Sequence, residues 1–205
     1  VVVFDGKLPE IETVSHFHFL QDQLIHVGEQ NYVGNMFVCD VDFFDIFPMT
    51  FKEGSPEKLS ERNAAFISEK LASRLNDESV NLPLIVSDDT LHVVGIIAGK
   101  GSSLLPEFDV MMNYEHGQSY VIKSYRDNPF NNWANIGTYI KVRPDVDREE
   151  LAEKLEALCD TQFENSPTWE GLEMVRFDEL FFTPVYTSLN KGDRSMLRTM
   201  IIIGL

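Results

Sequence analysis

The run Leu91-His92-Val93-Val94-Gly95-Ile96-Ile97-Ala98 is apolar on both alternating faces except at His92, which predicts a strand covered on both sides. Ahead of it, Leu84-Ile85-Val86 and the polar turn Ser87-Asp88-Asp89-Thr90 complete a hairpin. A flexible exit without periodicity, Ala98 to Ser103, follows. Earlier in the chain, Pro9 to Ser15 leads into His16-Phe17-His18-Phe19-Leu20. There Phe17 and Phe19 share one strand face and His16 and His18 the other, the pattern of a half-exposed strand. Asn31 to Asp40 predicts another strand, with Met36 and Val38 facing one way and Phe37 and Cys39 the other. The spacing of Phe43, Phe44 and Phe47 fits one helical turn whose rings plug a core, and Pro48 ends it. A groove for an aromatic ligand would use similar residues; core packing is the simpler reading.

Gly54 to Asn63 is polar and reads as a surface loop. Ala64 to Ile67 predicts a short strand and Ser68 the N-cap of a helix over Glu69 to Leu75, with Leu71, Ala72 and Leu75 on one face. Phe108 to Met112 and Tyr120 to Lys123 are further strands, and Arg126 to Asn132 is turn-rich, the mark of a boundary. Gly137 to Arg143 alternates, with Thr138, Ile140 and Val142 against Tyr139, Lys141 and Arg143, until Pro144 closes it. Asp147 with Glu150 has the form of a capping box. Leu151, Leu155 and Leu158 make an i, i+4, i+7 stripe expected to be buried on a sheet, and Glu150 and Lys154 an exposed pair. Leu172 to Phe177 then returns as a strand, so the last third predicts a strand–helix–strand unit forming a small lobe of its own.

Composition changes this picture in one respect. A chain of 205 residues with 43% hydrophobic content and 15 Phe can build one compact domain or two small ones. Its 33 Asp and Glu against 17 Lys and Arg leave a net charge of -16. Such a surface repels phosphate backbones and anionic lipid, which argues against nucleic acid as a partner. Cys39 and Cys159 match no zinc or redox spacing, and a pair without a framework reads as two buried thiols rather than a disulfide. Val1-Val2-Val3-Phe4 is too short for a signal-peptide core and has no basic flank. The apolar Met200 to Leu205 reads as a terminal strand or as the start of something longer.

Candidate chemistry is sparse. His16 and His18 could form half of a metal site with His26 as a third ligand, but no carboxylate or thiol stands at a supporting spacing. Ser68-Glu69-Lys70 has the residues of a serine–lysine pair, yet neighbours at a helix start point in different directions. His92 with Asp88 and Asp89 comes closest to an acid–base set and lacks a nucleophile. There is no G-x-S-x-G, no H-E-x-x-H and no Walker A loop. The expectation is therefore no catalytic residue, no cofactor and no metal.

Five landmarks in order carry a resemblance: Phe43-Phe44-x-x-Phe47 with Gly54, Phe66 to Leu75, Val93 to Ile97, Phe108 to Met112, and Thr138 to Pro144. Together, over roughly residues 8 to 190, they resemble the extracytoplasmic (periplasmic) core domain of MacB-type ABC transporter permeases. The resemblance implies an α+β fold with two lobes. A porter-like strand–helix–strand lobe, residues 1–19 and 132–190, would be interrupted by a strand-rich, sabre-like lobe over 20–131. The family normally has a further strand and helix at the start, so the first porter unit would be truncated. Residues 191–205 would lead into a transmembrane helix. The implied role is non-catalytic, on the periplasmic face of the inner membrane, coupling ATP hydrolysis by a separate nucleotide-binding domain or subunit to movement outside it. The implied partners are the permease's own transmembrane helices, an ABC ATPase, a second copy in a homodimer and a periplasmic adaptor or substrate protein. The alternatives from other classes are a solute-binding domain that captures a small ligand between lobes and a soluble hydrolase.

Overall fold

The computed structural model describes residues 8–75, 83–86, 89–113, 115, 137–163 and 172–183. Tyr120 to Lys123, the boundary at Arg126 to Asn132 and residues 191–205 lie outside these. By compactness the chain divides into two units, Val1–Ser102 with Glu107–Pro144 and Ser103–Pro106 with Asp145–Leu205. The fold is α+β, a mixed sheet with a few short helices and one longer one.

In the larger unit the strands are β1 (Ile11–Val27), β2 (Gln30–Cys39), β3 (Met49–Glu53), β4 (Ala64–Ser68), β5 (Leu84–Val86), β6 (Asp89–Lys100), β7 (Val110–Asn113) and β8 (Gly137–Val142). Their pairings close on themselves. The order runs β2-β7-β4-β6-β5-β1, and β1 pairs again with β2, so six strands form a ring; β8 hangs on β1 and β3 on β6. The β2–β7 and β4–β6 pairs are parallel and the other four pairs of the ring antiparallel. A ring this small has an interior just wide enough for side chains to fill. Every strand contributes: Ile25 and Val27, Met36 and Val38, Ala65 and Ile67, Leu84 and Val86, Leu91 and Ile96, Val110 and Met112. Closure gives each ring strand a neighbour on both sides, and among the described residues it leaves β3 and β8 as the edges.

β1 is one strand of 17 residues rather than the two shorter pieces the sequence suggested. Its pairing with β2 slips between Leu20 and Gln23, where Gln21 and Asp22 oppose the single Asn35. This is a β-bulge. Asp22 takes the left-handed conformation, φ 52, and its N–H donates to Asn35 Oδ1 at 3.2 Å. One extra residue reverses the alternation: before the bulge Phe17 and Phe19 lie on the outer face, and after it Ile25 and Val27 point inward. The bulge stands where the joint near residues 19–21 is expected, but the sheet is continuous through it. β8 pairs with Ile11–Phe17 before the bulge and β5 with Ile25–Val27 after it.

Outside the ring lies a second, aromatic core. α1 (Phe43–Ile46) is the predicted single turn, and it lays Phe43 and, just beyond it, Phe47 against Phe17 at ring distances of 5.4 and 5.6 Å. Phe37 and Tyr139 join them, Tyr139 stacked on Phe17 at 4.9 Å. Phe44, Phe51 and Phe66 make an adjoining cluster. β3 crosses so close to β6 that a Cβ at Gly95 would collide with the Glu53 carbonyl oxygen. Gly54, which takes φ 85, then turns the chain away from that crossing. The predicted loop over Gly54 to Asn63 holds a 3-10 turn at Pro56–Ser60 and buries Leu59.

α2 (Glu69–Ala72) starts at Ser68 as expected but closes after one turn. Leu71 and Leu75 enter the aliphatic core and Ala72 packs beside it. In the smaller unit, α3 (Arg148–Phe163) begins at Asp147, whose Oδ1 accepts from Glu149 N–H and Glu150 N–H at 2.9 and 3.1 Å. Its buried stripe is Leu151, Leu155 and Cys159, with Leu158 only half-buried. The i, i+4, i+8 row drifts about 80° round a 3.6-residue helix, so the buried face turns away from Leu158 toward Cys159. The strand expected over Leu172 to Phe177 does not form. Arg148 Nη2 donates to the Met174 carbonyl at 2.7 Å, and Arg176 clamps Asp178 with two bonds of 2.8 and 2.7 Å. Local pairing turns the chain there, and Phe177 is left exposed.

Candidate functional site: a carboxylate latch between two strands

The densest polar cluster among the described residues centres on Asp40, directly after β2. Its Oδ1 accepts from Ser15 Oγ at 2.7 Å and Phe43 N–H at 3.0 Å. Its Oδ2 accepts from His16 N–H at 2.7 Å and faces His16 Nδ1 at 3.3 Å. Ser15 and His16 are buried on β1 and the Asp40 side chain is 14% exposed. One carboxylate thus ties β1 to the end of β2 and supplies an acceptor to the start of α1.

Serine, histidine and aspartate together invite comparison with a nucleophile triad, and the hydrogen bonds exclude it. In a triad the imidazole takes the serine proton and the carboxylate orients the imidazole. Here the Ser15 hydroxyl donates its hydrogen bond to Asp40 directly and not to the imidazole. The cluster fastens structure. The sequence reading missed Asp40; the available signal was an acid at a strand end three residues before a helical turn.

The sequence candidates fall apart in space. His16 is committed to Asp40, and His18, expected half-exposed, is buried with it. Both precede the bulge, whereas His26 follows it and turns to the opposite face, its Nδ1 2.5 Å from Asn31 Oδ1. The proposed three-histidine set is therefore broken by the reversal in β1. Among the described residues no group of three or more His, Cys, Asp or Glu gathers as a metal site. Ser68 Oγ accepts from Leu71 N–H at 3.1 Å as a cap, and Glu69 pairs with Lys52 at 2.8 Å rather than with Lys70. His92 is exposed, 4.0 Å from Glu61, while Asp89 is buried and Asp88 lies outside the described residues. Cys39 and Cys159 are free and buried. Burial, helped by the neighbouring Asp40 charge, pushes the Cys39 thiol well above its usual range, and burial raises Cys159. Neither is a ready nucleophile.

A second buried carboxylate, Asp109, sits over Gly34. Its Oδ2 accepts from Asn35 N–H at 3.0 Å, its backbone carbonyl accepts from Ser68 N–H at 2.9 Å, and its Oδ1 is buried without a partner among the described residues. It belongs to the register of β2 against β7.

The family model for the MacB-like periplasmic core domain matches residues 2–158. No curated protein matches the chain. Among solved structures, a domain of a protein described as a permease, from Porphyromonas gingivalis, superposes with a TM-score of 0.67 at 16% identity, covering 98% of this chain and 83% of its own. The periplasmic region of MacB from Actinobacillus actinomycetemcomitans gives 0.55 at 13% identity, covering 77% and 70%. The extracellular domain of the noncanonic ABC-type transporter YknZ, from Gram-positive bacteria, gives 0.57 at 10% identity, covering 82% and 84%. At these identities the structural likenesses speak for the fold.

Proposed function

The chain belongs to the family of MacB-like periplasmic core domains, extracytoplasmic parts of ABC transporter permeases, and from that premise we propose that it is a non-catalytic transmission element. ATP hydrolysis by a separate ABC ATPase domain or subunit moves the permease's transmembrane helices, and this domain carries the movement to a partner outside the membrane. The observation that supports the reading most is β1, one unbroken strand that enters the ring at one end and carries β8 at the other. A closed, side-chain-filled ring resists internal deformation, so displacement of the Ile11–Phe17 end is passed on rather than absorbed. We assign residues 20–131 to the inserted sabre-like lobe and residues 1–19 with 132–190 to the porter-like lobe, joined near residues 19–21 and 130–134. In the full transporter two copies act as a homodimer.

Capture of a small solute inside the ring finds no support, because aliphatic side chains from all six strands fill it. Hydrolysis finds none in the Asp40 cluster, where the serine proton is already committed. The test is mechanical. In the full-length permease, about ten Gly/Ser residues inserted into Lys191-Gly192-Asp193-Arg194-Ser195 make a slack linker. Transport, followed as the resistance or secretion phenotype of a deletion strain, should fall to background while ATP hydrolysis persists. Unchanged transport would reduce the domain to a passive docking surface and remove the transmission reading.

A further inference from the structure

We propose that the bare outer face formed by Leu24, Val33 and Ile85 is the docking surface for an extracytoplasmic protein that presents an apolar anchor ringed by lysine and arginine. The inference rests on the reading above, in which the domain passes movement to a partner, and names where and to what chemistry it does so.

The outer face of the ring has two halves. On β2 the outward positions Phe37 and Cys39 are fully covered by the aromatic core, yet Val33, on the same strand face, is 60% exposed. The cover ends at the bulge. Beyond it Leu24 is 49% and Ile85 43% exposed. The three are neighbours by register. Leu24 is paired directly with Val33. Ile85 stands opposite His26, one step along the same face of β1 from Leu24. They continue into Asn31, opposite His26 on the β2 side, and Thr90, opposite Ile85 on β6. Single exposed aliphatics need no explanation, but an adjacent group across three strands does.

Charge decides the occupant. The chain carries -16, yet no carboxylate stands at the outward positions Asn31, Val33, Leu24, His26, Ile85 and Thr90. The acids stand around this face instead. Asp22 at the bulge and Glu29 in the β1–β2 turn, both exposed, bracket Leu24 and His26 along the chain. Glu61 lies to the side, 4.0 Å from His92. A charge-free apolar centre inside an acidic rim is complementary to an apolar anchor inside a basic rim. The same rim opposes a second copy of this chain, which would bring like charge to like charge, and it opposes an anionic lipid surface.

The experiment uses the full-length transporter. A photo-crosslinking p-benzoylphenylalanine at position 33, activated in cells, reports what covers the face. In parallel a labelled 12-residue peptide alternating Leu and Lys is titrated against the purified transporter beside its Leu/Glu counterpart. The expected crosslink is to an extracytoplasmic protein that, once purified, binds the transporter at least about tenfold more weakly when Val33 and Ile85 are both replaced by Ser. Glu29→Gln with Glu61→Gln should weaken it less and flatten its salt dependence. The Leu/Lys peptide should bind, the Leu/Glu peptide should not, and Val33→Ser with Ile85→Ser should abolish the difference. A crosslink to a second transporter copy, a crosslink to lipid, no crosslink at all, or Leu/Lys binding indifferent to the serine variants would each overturn the proposal. The linker insertion leaves this face untouched. A crosslink retained in a transporter that ignores the insertion would keep the docking surface and remove only the transmission reading.

Discussion

Asp40 accepts three hydrogen bonds through two oxygens, so its loss strands several donors at once. Asp40→Ala leaves the Ser15 hydroxyl and two backbone N–H groups without an acceptor in a largely buried place, a loss of about 3 kcal/mol or more. Asp40→Asn keeps one acceptor oxygen and should lose less; equal urea midpoints for the two variants would show that the carboxylate is not the fastener. Beside it, Cys39 titrates in the opposite sense from a salt-bridged acid. Its thiol pKa is raised in the fold, so the native state keeps a proton that the unfolded chain gives up near pH 8.5. The term is therefore fully present below that value and is lost as pH rises through the folded pKa. Wild type should lose stability between pH 7 and 9.5 more steeply than Cys39→Ala, and native Cys39 should resist iodoacetamide until denaturant is added. Parallel pH slopes would sink this account. At this scale the sequence was least informative. Its pattern marked His16 and His18 as one face, but that this face is buried, and that Asp40 closes over it, depends on β2 lying alongside. No local pattern carries that.

Element identities were largely legible because each rests on local chemistry. Ser68 caps α2 as its side chain and spacing predicted, and Ser68→Ala should cost about 1 kcal/mol. Ser68→Asp, which keeps an acceptor, should restore most of it. In α3 the apolar spacing gave the buried face to within one position, Cys159 in place of Leu158. Leu155→Ala should cost about 2–5 kcal/mol, and a loss below about 0.5 kcal/mol would mean that the face is uncovered in solution. The predicted strand over Leu172 to Phe177 failed for a reason alternation does not register. Strands need a neighbour's backbone, and here the Met174 carbonyl is taken by Arg148 while Arg176 binds Asp178 two residues on. The bulge in β1 was equally hidden. Gln21 and Asp22 look like ordinary polar residues, and only pairing against Asn35 reveals the extra residue that reverses every side chain after it.

The closed ring is a property of no single element. Its seam joins β1 to β2 through a tight hairpin at Gly28 and Glu29, but β2–β7 and β4–β6 are parallel pairs between distant segments, and nothing in either strand names its partner. Closure has a thermodynamic consequence. Removing any one ring strand exposes two neighbours and opens the interior to which all six contribute, so no ring strand can leave while the others stay folded. The core amides of β2, β4, β6 and β7 should then exchange with solvent through one opening reaction, with a common free energy equal to that of global unfolding and a common denaturant slope. β3 lies outside the ring, pairing only β6 among the described residues, and two register slips interrupt that pairing. Its amides should exchange through a smaller opening with a shallower slope. Native-state hydrogen exchange in low denaturant separates these cases. If β7 or β4 exchanged by a sub-global opening of its own while the remaining ring strands stayed protected, the six strands would be a curled open sheet in solution. The stiffness asked of them in transmitting movement would then lack a physical basis.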